Sequence, residues 1–217
     1  MTFGADDLLA LYAKGQFPMA SDRTANSVSI IDPEWRGILP LDGLHIPRRL
    51  ARTIRQNRFR VHVNRNFAAT IQMCAESAPD RPETWINHGI EVLCHHLYLR
   101  GAAHSVECYL DDRLVGGLYG VILGGAFFGE SMFSRERDAS KVALFHLCAR
   151  LVRQGFFLLD TQFMTDHLAQ FGAIEIDRTA YLQRLETAKA IHPVFGENPD
   201  PLDGSDVLEI LQVTSTP

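Results

Sequence analysis

The stretch LVGGLYGVIL (114–123), followed by Gly124–Gly125 and then AFFGESMF (126–133), decides the fold. Two runs rich in leucine, β-branched and aromatic residues, joined by a Gly-Gly pair, read as a β-hairpin. Glycine reaches the positive φ values that tight hairpin turns need. Upstream, HSVECYL (104–110) and a turn at Asp111–Asp112 add a third antiparallel strand. Downstream, Ala139 to about Gln154 has helical periodicity and stops at Gly155. FFLLD (156–160), continuing to Gln162, is another strand. Three antiparallel strands, a helix and a returning strand predict an α+β fold: a mixed, mostly antiparallel sheet with helices.

Working outward, Asp6–Lys14 reads as a helix capped by Asp6, residues 20–26 as a loop and 27–31 as a strand. These make a small N-terminal domain, residues 1–36, set against a main domain, residues 37–217. Pro47 opens a helix through about Gln56, because its fixed φ suits a first helical turn. FRVHV (59–63) alternates like a strand, and Asn64 is expected to cap a helix running to about Glu76. A loop with Pro79 and Pro82 leads to Thr84–Trp85–Ile86, and a helix over about 88–100 ends at Gly101. A strand near Ala173–Ile176 and a helix from about Arg178 to Lys189 follow.

The chain has 217 residues, 46% of them hydrophobic, enough for one sizeable core and a small annex. Charged residues are 22%, the proportion of an ordinary soluble globular protein. The longest apolar runs are interrupted by glycines and too short to span a bilayer. MTFGADDLLALY (1–12) lacks the basic start of a secretory signal. Four cysteines are scattered, with no C-x-x-C, which points to buried thiols in a reducing cytoplasm. The nine histidines show no metal-binding spacing, so no metal is expected. Net charge is −5, yet Arg48, Arg49, Arg52, Arg55, Arg58 and Arg60 fall in one stretch without an acid. The acids gather elsewhere, as at Glu197, Asp200, Asp203, Asp206 and Glu209. Such a stripe either docks a polyanion locally or is a solvated helix face.

Alternation in AFFGESMF puts Phe128, Glu130 and Met132 on one face, so a carboxylate sits between two large apolar side chains. A buried acid has to be paired, protonated or turned to a polar site; the alternative to a functional role is a structural ion pair with an arginine. In LLDTQF, Leu158, Asp160 and Gln162 share a face, where Asp160 can accept from the Gln162 amide and fix its orientation. The alternative is a strand end bonded to a loop. Gly129–Glu130–Ser131–Met132–Phe133 lacks the last glycine of a nucleophile elbow and its strand-to-helix setting, which excludes a serine hydrolase of that kind. The glycines at 116, 117, 120, 124 and 125 do not form G-x-G-x-x-G; they read as close backbone approach in a crowded sheet.

Phe17–Pro18, Thr84–Trp85–Ile86, His104–Ser105–Val106–Glu107, LVGGLYG (114–120), FGESMFS (128–134), Ala139–Ser140–Lys141 and Asp160–Thr161–Gln162 occur in that order. Together they resemble the bacterial leucyl/phenylalanyl-tRNA–protein transferase family, over roughly residues 6–186. The resemblance implies a small N-terminal domain packed on a main domain with the fold of GCN5-related N-acetyltransferases. It implies no cofactor and no metal. The implied activity is transfer of leucine or phenylalanine from charged tRNA to acceptor proteins that begin with arginine or lysine, marking them for degradation in the N-degron pathway. Carried onto this chain, the family's catalytic pair falls on Asp160 and Gln162, and the acid at the aminoacyl end on Glu130, beside Ser131. The aromatic near the terminal adenosine falls on Trp85. The pocket for the donor side chain falls on Leu118, Met132, Leu144, Leu147 and Leu151. The tRNA-facing helix matches Arg48, Arg49, Arg52 and Arg55. A cytoplasmic monomer is expected. Met19 and Ile30 stand where the family often has tryptophan.

Three other readings remain. An acyl-CoA-dependent acetyltransferase would need a glycine-rich pyrophosphate loop, absent from the run Arg135–Ser140. A silent tRNA- or degron-binding adaptor would have no use for Asp160 and Gln162. A related transferase with another donor or acceptor specificity is compatible with every motif.

Overall fold

The computed structural model describes residues 3–77, 83–196 and 201–214. Pro79, Pro82, Glu197 and Asp200 lie outside the described residues. In chain order the elements are α1 (Ala5–Tyr12), β1 (Phe17–Met19), β2 (Ser29–Ile31), β3 (Trp35–Ile38), α2 (Arg48–Arg55), β4 (Arg60–Val63), α3 (Phe67–Ala75), α4 (His88–Leu99), β5 (Ala103–Leu110), β6 (Arg113–Leu123), β7 (Ala126–Ser134), α5 (Ala139–Arg153), β8 (Leu158–Gln162), α6 (Asp166–Ala169), β9 (Ile174–Asp177), α7 (Arg178–Lys189) and α8 (Gly204–Thr214). β1 and β2 form a two-stranded sheet, and a seven-stranded sheet runs β4-β5-β6-β7-β8-β3-β9. All its neighbours are antiparallel except β7 and β8. The mixed, mostly antiparallel α+β arrangement is therefore as expected.

The large sheet separates two apolar layers. One contains Leu118, Phe127, Leu144, Leu147, Leu151 and Leu159, with Val207, Leu208 and Leu211 of α8 against them. The other contains Leu8 and Tyr12 of α1, Phe67, Cys94, Tyr119, Phe128 and Phe133. The four cysteines are all buried and none is disulfide-bonded.

The structure corrects several local expectations. Gly4, not Asp6, precedes α1, and Asp7 accepts the Gly4 N–H at 2.8 Å. Asn66 rather than Asn64 caps α3, accepting the Ala69 N–H at 3.1 Å. Asn64 has φ +58° and spends its side-chain oxygen on the Ser105 N–H at 3.0 Å. The strand expected over 27–31 covers only Ser29–Ile31. β1, β3 and α8 are additional to the elements expected from the sequence. In β3 the reason is visible: Arg36 and Gly37 interrupt the apolar pattern. Gly37 is required because a Cβ there would lie 2.7 Å from the backbone of Phe163, where the chain crosses β3.

The alternation in β7 also needs correction. Tyr119 pairs with Ser131, but Gly120 pairs with Gly129, so Glu130 is an extra residue in a β-bulge. Before the bulge Phe128 faces the α1 side; after it Phe133 does. Met132 packs instead against the α5-side layer, with Phe127. Phe128, Glu130 and Met132 thus do not share one face, because the bulge shifts the two-residue period by one.

Candidate active site

β7 and β8 pair only from Ala126–Leu158 to Phe128–Asp160. Beyond that point β7 bulges at Glu130, and β8 ends in Gln162 at φ +64°. A cavity of about 280 Å³ opens there. Its apolar lining includes Leu118, Met132, Leu144, Leu147, Leu159 and Leu168, and Glu130, Ser131, Thr161, Thr165 and His167 supply polar groups.

Glu130 is 7% exposed. Its Oε1 accepts the Tyr12 hydroxyl at 2.9 Å and the Gln162 side-chain amide at 2.8 Å. Burial, reinforced by the Asp160 charge, pushes its carboxyl up to about 8 against the lowering pull of Tyr12, Arg36 and Gln162. At neutral pH Glu130 is mostly uncharged. The alternative of an ion pair between Glu130 and an arginine is not what the geometry shows; Tyr12, delivered by α1 and packed on Phe128 at 4.8 Å between ring centroids, is its partner.

Asp160 is fully buried and held by charge. Arg36 donates to it through Nε at 3.0 Å and Nη2 at 2.7 Å, and Tyr181 donates its hydroxyl at 2.6 Å. The Arg36 guanidinium lies between the rings of Phe17 and Tyr181, 4.5 and 4.6 Å from their centroids, and its Nη1 donates to the Gly15 carbonyl at 2.8 Å. Burial raises the Tyr181 hydroxyl far above its ordinary value, aided by Asp160, so it stays a donor. The expectation that Asp160 holds the Gln162 side-chain amide is corrected here. Asp160 accepts the Gln162 backbone N–H at 2.7 Å, while the side chain goes to Glu130. The left-handed backbone at Gln162 folds its N–H back onto Asp160 and swings its side chain across to the bulge.

Of the residues expected at the site, Glu130, Leu118, Ser131, Met132, Leu144 and Leu147 line the cavity, with Asp160 and Gln162 immediately behind Glu130. Leu151 is 0% exposed and belongs to the core beneath it. Trp85 packs on the opposite layer and is not part of the lining; its carbonyl accepts the Ala20 N–H at 3.1 Å. Met19 is partly buried in β1, and Ile30 is exposed opposite Pro18. Arg48, Arg49, Arg52 and Arg55 stand exposed on α2 and make no ion pair among the described residues. Arg58 and Arg60 are paired, with Glu136 and Asp112, each at 2.9 Å. Tyr12, Arg36 and Tyr181 escaped the sequence reading: two tyrosines on helix faces look like core, and a lone arginine after a tryptophan looks like surface. Among the described residues no three His, Cys, Asp or Glu side chains stand close enough to hold a metal.

The start of α5 is closed by the protein itself. A Cβ on Gly116 would meet the Ala139 Cβ at 2.4 Å, so β6 and the helix touch there. Ser134 accepts the Ser140 N–H at 3.3 Å and donates to the Glu136 carbonyl at 2.8 Å. Asp138 binds Lys141 at 2.9 Å.

The mixed sheet parts at an apolar cavity with the buried Glu130 carboxyl in its lining and the Gln162 amide bonded to it, an arrangement able to receive a substrate that carries an apolar group. The family model described as leucyl/phenylalanyl-tRNA protein transferase matches residues 38–186. Proteins named leucyl/phenylalanyl-tRNA–protein transferase are similar over most of their lengths. That of Caulobacter vibrioides is 61% identical, over 87% of this chain and 87% of its own. That of Phenylobacterium zucineum is 55% identical, over 98% and 97%, and that of Maricaulis maris 52%, over 98% and 99%. The chain belongs to the leucyl/phenylalanyl-tRNA–protein transferase family.

Proposed function

We propose that the protein moves leucine or phenylalanine from charged tRNA to the N-terminal arginine or lysine of acceptor proteins, in the cytoplasm, so that the product is a degradation signal. The observation that carries this reading is Glu130: it lines the apolar cavity and also holds Gln162. The donor side chain fills the space among Leu118, Met132, Leu144 and Leu147. Its ester then lies at Glu130, between the cavity and Gln162. With the Gln162 amide nitrogen engaged by Glu130, its carbonyl oxygen is turned the other way, able to accept an N–H of the attacking amine. An α-amino group has an ordinary pKa of about 7.7–8.0, so a usable neutral fraction exists at pH 7 without a strong base. Orientation is then the main catalytic demand. Asp160, pinned by Arg36 and Tyr181, holds the backbone from which Gln162 reaches.

The arginines Arg48, Arg49, Arg52 and Arg55, exposed and without an ion pair among the described residues, suit a phosphate backbone. The division into a small domain, residues 1–36, and an acetyltransferase-like catalytic domain, residues 37–217, belongs to the same reading, with α1 contributing Tyr12 to the site. Closure of the α5 start by Gly116, Ala139 and Ser134 speaks against an acyl-CoA pyrophosphate there. Incubation with each charged tRNA and a peptide panel differing only at residue one tests the proposal. Leucine and phenylalanine transfer confined to peptides beginning with arginine or lysine is the expected result; transfer of another residue, or to acidic N-termini, overturns the specificity.

A further inference from the structure

The geometry points to Glu130 as the acid that protonates the departing ribose oxygen of the donor ester, a role resting on the transferase reading above. Two donors, the Tyr12 hydroxyl and the Gln162 amide, converge on Oε1. With Oε1 taken up by these two donors, Oε2 is the oxygen left to carry a proton when the carboxyl is neutral. The surroundings favour that neutral form. No cation lies within ion-pair distance of Glu130 among the described residues, because Arg36, on β3, is committed to Asp160 at 2.7 Å. Among the described residues the other ionisable groups nearby are the buried Tyr12 of α1, Cys94 of α4 and Tyr119 of β6, all held neutral chiefly by burial, the negative Asp160 of β8, and, across the cavity, His167 of α6, whose imidazole burial and Lys141 hold below its ordinary value.

The chemistry has a use for such a proton. The amine nitrogen attacks the ester carbonyl; a C–N bond forms and the carbonyl π pair moves to oxygen. When that pair returns, the C–O bond to the ribose breaks and its electrons stay on the ribose oxygen, a poor leaving group as an alkoxide. Oε2–H of Glu130 delivers a proton to it, producing the free hydroxyl of the tRNA. The nitrogen meanwhile carries one proton too many, lying against the Gln162 carbonyl, and this proton passes to the Glu130 carboxylate. The net change is one amine proton moved to the ribose oxygen, with Glu130 regenerated. The bulge serves this role by placing one side chain in reach of both the cavity and Gln162.

The test compares the wild type with Glu130→Gln, which keeps size and an acceptor oxygen but has no acidic proton, on two leucyl donors. One is leucyl-tRNA; the other is the leucyl ester of trifluoroethanol, whose alcohol leaves without protonation. With leucyl-tRNA the variant is expected to lose about 10²–10⁴ in kcat, the usual worth of a general acid. With the trifluoroethyl ester it should lose less than about tenfold. The wild-type kcat with leucyl-tRNA should also fall above pH of about 8, as Glu130 gives up its proton, and the variant should lack that fall. Equal losses on both donors, with tRNA binding and melting temperature unchanged, overturn the acid role and leave Glu130 a positioning residue. A wild type inactive with every charged tRNA overturns the transferase reading instead.

Discussion

The charges around Asp160 and the charges on α2 are opposites. Arg36 and Asp160 are 1% and 0% exposed, fully partnered, and assembled from residues 124 positions apart in the chain. Arg48, Arg49, Arg52 and Arg55 are exposed, unpaired among the described residues, and packed within one helix. A charge taken out of water has to be compensated by the protein, whereas a charge left in water is available to a partner. Buried charge therefore fixes geometry, and exposed charge recruits.

The largest effect expected from breaking this contrast is at Arg36. Arg36→Met strands Asp160 without its cation and should cost about 3–5 kcal/mol of stability, read from urea unfolding. Adding Asp160→Leu should recover much of that stability and none of the transfer activity. If the double variant regains activity, the pair only holds the fold together.

Leu151→Ala should cost about 2–5 kcal/mol, as for other buried leucines, because Leu151 is core beneath the cavity. Leu144→Phe acts at the cavity wall instead. It should lower phenylalanine transfer more than leucine transfer, by a difference of about 1–3 kcal/mol, with the melting temperature near wild type. Equal loss for both donors would place Leu144 in the general core.

Glu130 gives a pH signature. Its folded-state carboxyl sits at about 8, above its ordinary value of 4.5, so between those values the folded chain keeps a proton that the unfolded chain releases. Stability from this group is complete below pH of about 4.5 and is lost as pH rises through about 8. Glu130→Gln should remove that decline, so thermal melts of the two proteins should draw apart as pH rises from about 4.5 and differ most at and above about 8. Parallel curves would show that Glu130 is ionised in the folded state.

On the exposed side, Arg48, Arg52 and Arg55 changed together to alanine should alter stability by no more than about 0.5 kcal/mol. The log–log salt slope of tRNA binding should flatten by roughly 2–3, alike for all tRNAs. The smallest effect belongs to Arg60→Ala: its cation is already paired with Asp112, so stability should change by less than about 1 kcal/mol and the salt slope hardly at all.

The same contrast explains what could be read from the sequence. β5, β6, β7 and α5 were legible because apolar runs, a Gly-Gly turn and a helical period are local signals. The arginines of α2 were legible because clustering is local too. Asp160 and Gln162 were located, but their connection was not: alternation predicts a side-chain bond between neighbours on one face, and Gln162 leaves the strand conformation. Tyr12 and Arg36 reach the site through Glu130 and Asp160, more than a hundred positions away, and nothing beside them in the chain announces that. The bulge was invisible for a similar reason, since it exists only as a mismatch in count between β6 and β7.

That mismatch separates the scaffold from its working part. Removing Glu130 from the ladder leaves Phe128, Gly129, Ser131, Met132 and Phe133 in unbroken alternation, opposite the same partners on β6. The acid is thus a one-residue insertion in an otherwise regular ribbon. A chain shortened by that single residue keeps the β6–β7 register but takes away the acceptor of Tyr12 and Gln162, so strand pairing and the arrangement of side chains at the cavity are separable by one codon.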